Sequence, residues 1–426
     1  MTVKSRFILL ISLFLSVVPV FSQVSGDTIV LTLPEAEKMF LEGNLSILAK
    51  KYDIDAAKAS VIQAKLWNNP VVQIEQNVYN PVVRQYVGIS PSGETAIQVQ
   101  HLIYIAGKRN KRIAIEKTNL QIAEYEFYDL LRTLKSELRS TFFDLYFEYR
   151  ALQVYDREIN ALRRLSEAIS AQYEKGNASL RETIRIRALL LDVEKDRIDV
   201  LSSINRESAD INVLLNNSSM RFIIPSADSS SWKNLSAGGL TLQQFSDSAF
   251  ANRYDLKIYA ADTLLKQQEY VLQKAMAYPD IYWGTAFDRN GNFIHNYNAA
   301  TLQLEIPLFN RNQGNIKAAQ SHMAESSALY RQFTSRLGND VMTAYRQVAE
   351  TEKLYRIFDA RLTAEMDTLA GGIIENFAKK NISMLEFIDY YQTYKSTMEE
   401  YYQLWNAHMK NLDRINYVSG TELFRF

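Results

Sequence analysis

His101, His295, His322 and His408 are the four side chains best suited to bind a metal or move a proton at neutral pH, and they are scattered. None stands with acids at metal-ligand spacing. Cysteine is absent, which excludes disulfides, thiol nucleophiles and thiolate metal sites together. The methionines are dispersed, and neither a nucleophile elbow nor a glycine-rich phosphate loop is present. His101 falls in a strand pattern and His295 in a polar loop, where structural or solvated roles suffice. What remains is electrostatic: Glu386 and Asp389, three apart and so on one helix face, follow the turn Lys380-Asn381-Ile382-Ser383-Met384. Glu182 and Arg185 follow a matching turn, Gly176-Asn177-Ala178-Ser179-Leu180. On their own, acids in a first helical turn complement the helix dipole and face solvent. This inventory describes no enzyme, no cofactor site and no metal site.

Long helices carry both turns. Residues 108–173 contain no proline or glycine, and Leu131, Leu138, Leu145, Leu152 and Ile159 recur every seven residues, with Leu120, Phe127 and Leu134 in a second row. A heptad sustained this far predicts a coiled helix about 95 Å long, whose seams must meet other rods. The returning helix shows two lines: Ile184, Leu191 and Ile198 on one, and Val193 and Val200 with Ile204 and Ile211 on the other. A helix with two seams is gripped from two sides, as in a cylinder wall. An ordinary antiparallel bundle has the same periodicity.

The chain is duplicated. Leu31-Thr32-Leu33 is answered by Leu240-Thr241-Leu242, and the same displacement carries Pro70 onto Pro279. Each half opens with a helix, from Thr32 to Trp67 and from Thr241 to Tyr278, stopped by those prolines. Thr32, Pro34 and Glu35 form a capping-box pattern.

Two alternating segments follow in each half. Val72, Ile74 and Val78 oppose Gln73, Glu75 and Asn77; Ile97, Val99 and Ile103 oppose Gln98 and Gln100. In the second half Ile281, Trp283 and Phe287 share a face, and Ala300, Leu302, Leu304, Ile306 and Leu308 oppose Thr301, Gln303 and Glu305. Such alternation fits barrel strands in a membrane or a half-buried soluble hairpin. The connections, 79–94 with Asn80-Pro81 and Pro91-Ser92-Gly93 and 288–298 with Asn290-Gly291-Asn292, are polar and lie on one side of the strands. Tyr79, Tyr104, Tyr282, Trp283 and Phe309 stand near strand ends, as interfacial belt or core residues.

The domain plan is a cleaved secretory signal at 1–22, a first repeat at 23–215, a connection at 216–239, a second repeat at 240–417 and a tail at 418–426. Lys4 and Arg6 precede the apolar run 7–21, with Gln23 as the new N-terminus. Beyond it no stretch has the length and apolarity of a membrane helix, so a membrane fold would consist of strands. The connection contains Pro225 and Gly238-Gly239, and its Phe222-Ile223-Ile224 implies docking on the body. Formal charge is zero, which gives no case for nucleic acid. Four strands leave two unpaired edges, costly in lipid, and eight strands is the practical minimum for a barrel. At least two chains must therefore join if the strands enter a membrane.

Leu31-Thr32-Leu33 and its repeat, Pro70 and Pro279, Ala106-Gly107-Lys108-Arg109, and Ile306-Pro307-Leu308-Phe309-Asn310-Arg311-Asn312-Gln313-Gly314 together resemble the TolC family of outer-membrane efflux factors. The resemblance spans the mature chain. It implies a mainly α fold with a small membrane β component, completed only in a homotrimer. Four strands per chain make a twelve-stranded β-barrel, continued by an α-barrel of long helical hairpins into the periplasm. The Pro-Leu-Phe-Asn-Arg-Asn-Gln-Gly run is similar to the branch paired with cation-exporting, resistance-nodulation-division pumps. Many members carry a lipid-bearing cysteine; this chain lacks one, so anchoring must rest on the barrel.

The resemblance further implies that Glu386 and Asp389 form acidic rings around a periplasmic entrance, with Glu182 and Arg185 at the matching places of the first half. A ring of like charge favours cations and costs energy to close, and Arg185 would neutralise part of it. Gly176, Ser179, Leu180, Lys380, Ser383 and Met384 become contact tips for a periplasmic adaptor, itself bound to an inner-membrane pump. Gly176 suits a left-handed helix end; Lys380 in its place predicts tips that are not strictly equivalent. The function implied is a passive outer-membrane conduit for metal cations or small toxic compounds. The alternative is a soluble periplasmic coiled-coil structural or adaptor protein without a pore.

Overall fold

Thr32 opens the first helix with the expected capping box. In the computed structural model its hydroxyl oxygen accepts from the Glu35 N–H at 3.4 Å, and Glu35 Oε2 accepts from the Thr32 N–H at 2.8 Å. The structure describes residues 28–81, 84–87, 93–219, 221–290, 294–358 and 360–426. The signal segment 1–22, Gln23, and the turn residues Pro91, Ser92, Gly291 and Asn292 lie outside that set.

The first half contains β1 (Thr28–Thr32), α1 (Leu33–Gly43), α2 (Leu45–Lys65), β2 (Val71–Gln76), β3 (Tyr79–Asn80), β4 (Gln85–Tyr86), β5 (Thr95–Ile103), α3 (Lys108–Glu174) and α4 (Leu180–Leu214). The connection supplies β6 (Phe222–Ser226) and α5 (Ser229–Lys233). The second half contains α6 (Leu242–Asn252), α7 (Tyr254–Met276), β7 (Ile281–Asn290), β8 (His295–Leu304), α8 (Gln313–Ile357), α9 (Ala360–Ala378) and α10 (Met384–Ser419).

Each opening helix, expected to be continuous, is broken once. Asn44 and Arg253 separate α1 from α2 and α6 from α7, and both residues have φ −65° and ψ 121°. The displacement that relates Pro70 to Pro279 relates these two breaks. Tertiary contact is the cause: Asn44 Nδ2 donates to the Leu214 carbonyl at 2.8 Å while its Oδ1 caps Ile47. At Gly43 a Cβ would stand 2.8 Å from the Leu215 carbonyl oxygen, so only glycine lets the chains approach.

β2, β5, β7 and β8 form one antiparallel sheet in that order, leaving β2 and β8 as edges. The register pairs Val72 with Val99, Ile74 with Ile97, Ile97 with Phe287, Trp283 with Leu302 and Ile281 with Leu304. The alternating apolar rows of four strands thus fall on one face, while Gln73, Gln98, Gln100 and Gln303 fall on the other. Ile74 and Leu302 remain 67% and 65% exposed, so among the described residues nothing covers that face. Strand limits differ from expectation. Asn290 pairs with His295, so most of 288–298 is strand and His295 opens β8 rather than lying in a loop. β8 stops at Leu304, before Pro307, which has no N–H to donate, so Ile306 and Leu308 lie beyond it.

α3 runs 67 residues, about 100 Å, and packs antiparallel to α4; α8 and α9 return through α10. Of the heptad row, Leu138, Leu145 and Ile159 are buried, and Leu131 and Leu152 pack against them. Val193, Ile204 and Ile211 are buried on α4, whereas Ile184, Leu191 and Ile198 stand exposed at 56%, 68% and 63%. Val341 and Val348 are buried and Tyr355 packs beside them, but the helix is interrupted between Ile357 and Ala360. Past the interruption the seam loses register: Leu369 is exposed and Ile373 buried instead; the Leu362 side chain lies outside the described set.

At the waist, β6 pairs in parallel with β1, an arrangement no periodicity announced. Trp232 of α5 is buried edge-on to Phe143 and Tyr146. The tail, to which the sequence assigned nothing, is docked: Asn416 bonds the Leu423 and Phe424 backbones, and Phe426 packs edge-on to Phe143. Arg139, buried, is surrounded by Glu37, Asp413 and Glu422 at 2.5, 3.1 and 2.8 Å, which ties α1, α3, α10 and the tail.

Candidate functional site

The two hairpin tips are built by one local design. At the first, Gly176 adopts φ 75° and the Asn177 N–H donates to the Gln172 carbonyl at 2.8 Å. At the second, Lys380 adopts φ 62° and the Asn381 N–H donates to the Asn376 carbonyl at 2.9 Å. Both are helix ends closed by a left-handed residue and a six-to-one bond. The backbones match, since Lys380 accepts the left-handed conformation that Gly176 takes; the difference between the tips lies in the side chain. The lysine also does what glycine cannot, since Nζ donates to the Asn177 carbonyl at 3.2 Å and joins the tips.

Ser179 and Ser383 then cap α4 and α10. Glu182 N–H donates to Ser179 Oγ at 3.2 Å, and Glu182 Oε2 accepts from the Ser179 N–H at 2.8 Å. Glu386 and Ser383 make the same pair of bonds at 3.2 and 2.7 Å. These donors hold both carboxyls below the usual range, the serine backbone N–H first. Glu182 and Glu386 are thus committed to their own helix starts. Asp389 and Arg185 lie one residue short of a turn further on, exposed, and among the described residues neither forms an ion pair within the chain. Arg185 does not neutralise Glu182, Glu386 or Asp389 inside one copy. Leu180 is half exposed, while Met384 turns back onto the small core around Phe387 and Ile186.

Behind the tips, a polar cluster that sequence reasoning missed fastens α10 to α3 and α4. Tyr391 donates to the buried Glu158 at 2.7 Å, Tyr155 donates to Glu399, and Lys395 pairs with Asp196. Glu158 Oε1 has no partner among the described residues, and burial pushes its carboxyl up to about 7, against the pull of the Tyr391 hydroxyl. A cleft of about 490 Å³ lined by Tyr155, Asp196, Lys395 and Glu399 opens beside it. Tyr391 and Glu158 are separated by 233 residues, and neither belongs to a motif, so no local signal pointed to them. His408 is buried against Tyr355, a structural placement, and burial lowers its pKa.

Known proteins are similar to this chain in sequence or in fold. The cobalt-zinc-cadmium resistance protein CzcC of Cupriavidus metallidurans is 20% identical over 307 residues, covering 71% of this chain and 69% of CzcC. The CmeC outer membrane channel of Campylobacter jejuni superposes with a TM-score of 0.73 at 11% identity, covering 91% of this chain and 85% of CmeC. The open state of the MtrE outer membrane channel of Neisseria gonorrhoeae gives 0.71 at 14%, covering 92% and 89%. The outer membrane efflux protein profile matches residues 38–217 and 245–369, most of both halves. An apolar-faced sheet set on long capped hairpins is thus the form of an outer-membrane efflux channel, and the chain belongs to the outer membrane efflux protein family.

Proposed function

We propose that three copies close into one conduit: the sheets join edge to edge as a twelve-stranded barrel in the outer membrane, and the hairpins join as a helical cylinder in the periplasm. The observation that carries this is the sheet itself. One face is apolar and uncovered, and the edge strands β2 and β8 offer unpaired backbone groups that lipid cannot satisfy. The exposed Ile184, Leu191 and Ile198 row supports the same closure in the helical region. The two repeats and the connection serve as the units of assembly, with the connection and tail as a belt at the waist.

The tips form the entrance and meet a periplasmic adaptor that delivers cargo from an inner-membrane pump; the conduit performs no chemistry on it. Metal cations are the cargo class we favour, on the strength of the CzcC likeness and of acids at the entrance. Asp389, repeated by symmetry, supplies the free acidic ring, and Arg185 of a neighbouring copy is its counter-charge. Tip contact falls to Gly176, Ser179, Leu180, Lys380, Ser383 and Met384.

Paired cysteines test closure, because the chain has none of its own. In one chain β2 and β8 are separated by two strands, about 14 Å at ~4.8 Å per step, too far for a disulfide. Cysteine at Val72 combined with a scan along β8 should yield covalent products that stop at three copies. Products that stop at two or extend without limit would refute the trimer.

A further inference from the structure

Helix α3 begins Lys108-Arg109-Asn110-Lys111-Arg112, a dense run of positive charge with no acid in its first turn. Lys108 is buried and paired with Asp280 at 2.7 Å. Arg109, Lys111 and Arg112 have no carboxylate within ion-pair distance among the described residues. They contact carbonyls and rings instead: Arg109 donates to the Lys65 carbonyl, Lys111 to the Ala106 carbonyl at 2.5 Å, and Arg112 lies 4.6 Å from the Tyr104 ring centre.

The position of Arg109 relative to the sheet is fixed by Trp67. Its ring centre is 6.4 Å from that of His101, which stands on the apolar face with Val99 and Ile103. The Arg109 guanidinium lies 4.5 Å over the same Trp67 ring, on that side of the wall. Trp67 is itself 62% exposed. On that side one meets apolar residues of β5, then the Trp67 indole, then the Arg109 guanidinium, and Lys111 and Arg112 follow at the same end of α3. That is the order of acyl chain, interface and phosphate in a bilayer leaflet.

From this we infer that Arg109, Lys111 and Arg112, with Trp67, form a collar that binds anionic phospholipid of the periplasmic leaflet through its phosphate. Three copies would place three collars around the foot of the barrel. The inference rests on the outer-membrane placement of the sheet and goes beyond the conduit reading, since a channel can conduct without selecting its lipids. A lipid fits better than a free anion because its chains extend the contact onto the uncovered face of β2 and β5.

The test is native mass spectrometry of the full chain in non-ionic detergent, titrated with phosphatidylglycerol, phosphatidylcholine or inorganic phosphate. Wild type should retain phosphatidylglycerol over phosphatidylcholine, and K111Q/R112Q should lower that preference roughly fivefold for each cation removed. Arg109 is kept in this variant because it also braces Trp67 and the Lys65 carbonyl; R109Q is measured separately. Equal retention of both lipids by wild type, an unchanged preference in K111Q/R112Q, or displacement of phosphatidylglycerol by equimolar inorganic phosphate would each overturn the collar. Conductance of the same samples in planar bilayers keeps the two readings apart. A selective lipid result with no conductance would sink the conduit alone, and conductance without lipid preference the collar alone.

Discussion

Glu386 and Asp389 share a helix face but not a task. The Glu386 carboxylate is held by the backbone and hydroxyl of Ser383, whereas Asp389 is exposed and has no ion pair among the described residues of its own chain. Asp389→Asn should therefore reduce cation selectivity in planar bilayers with little effect on melting, while Glu386→Ala, which removes the acceptor of the Ser383 N–H, should loosen the start of α10 and leave selectivity nearly unchanged. If Asp389→Asn conducts like wild type, the ring idea fails. Glu158 gives a pH prediction. Its carboxyl is raised to about 7 in the folded chain by burial, against 4.5 unfolded, with Tyr391, Tyr155, Glu399, Lys395 and Arg157 around it. The folded state holds the proton more tightly, so this group's contribution is fully present below pH 4.5 and is lost as pH rises through 7. The loss is on the order of 3 kcal/mol. Glu158→Gln should flatten the dependence of melting temperature between pH 5 and 8, raising it at the alkaline end. A wild-type melting temperature that does not fall over this interval would contradict the assignment.

At the scale of elements, regular patterns were legible and interruptions were not. The α3 heptad, the alternation of β5 and β7, and the Thr32 cap are local signals of period or spacing, and the structure places them where the residues say. Of the tips, the turns that end and restart the helices at 176–180 and 380–384 could be read. Ser383 and Glu386 stand at capping-box spacing, a local signal, whereas the Tyr391–Glu158 bond could not be read, because it joins residues 233 apart. The break at Asn44 and the pairing of β1 with β6 depend on a partner far along the chain. Gly284 illustrates the difference. It reads as an ordinary weak point in a strand, but a Cβ there would stand 2.2 Å from the Val99 carbonyl oxygen and 3.0 Å from Gln100 Cα, both backbone of β5. Gly284→Ala should force β5 and β7 apart and abolish the heat-modifiable oligomer on semi-native gels. Ser383→Ala, which costs a cap worth about 1 kcal/mol, should leave that band in place. A normal oligomer from Gly284→Ala would mean the strands can shift to accommodate it.

For the whole molecule, one copy contains surfaces that its own fold leaves unfinished. The waist is complete: a buried ionic knot around Arg139, a strand pair and a docked tail close it within the chain. The sheet edges and the Ile184, Leu191 and Ile198 row are open, and both follow from the same chain geometry of few strands and helices with two seams. Leu162, fully buried inside the hairpin, and Leu191, 68% exposed in one copy, separate folding from assembly. Leu162→Ala removes intrachain packing worth roughly 2–5 kcal/mol and should lower helicity and oligomer together. Leu191→Lys removes nothing the single copy uses, so circular dichroism should keep its helical signal. The trimer should weaken, because each seam loses about 1.5–3 kcal/mol of apolar burial and acquires an unpaired ammonium group. Semi-native gels and analytical ultracentrifugation in detergent read the second effect. Should Leu191→Lys assemble as wild type does, the exposed heptad row is a solvent face, and closure of the helical cylinder must be sought on another side of α4.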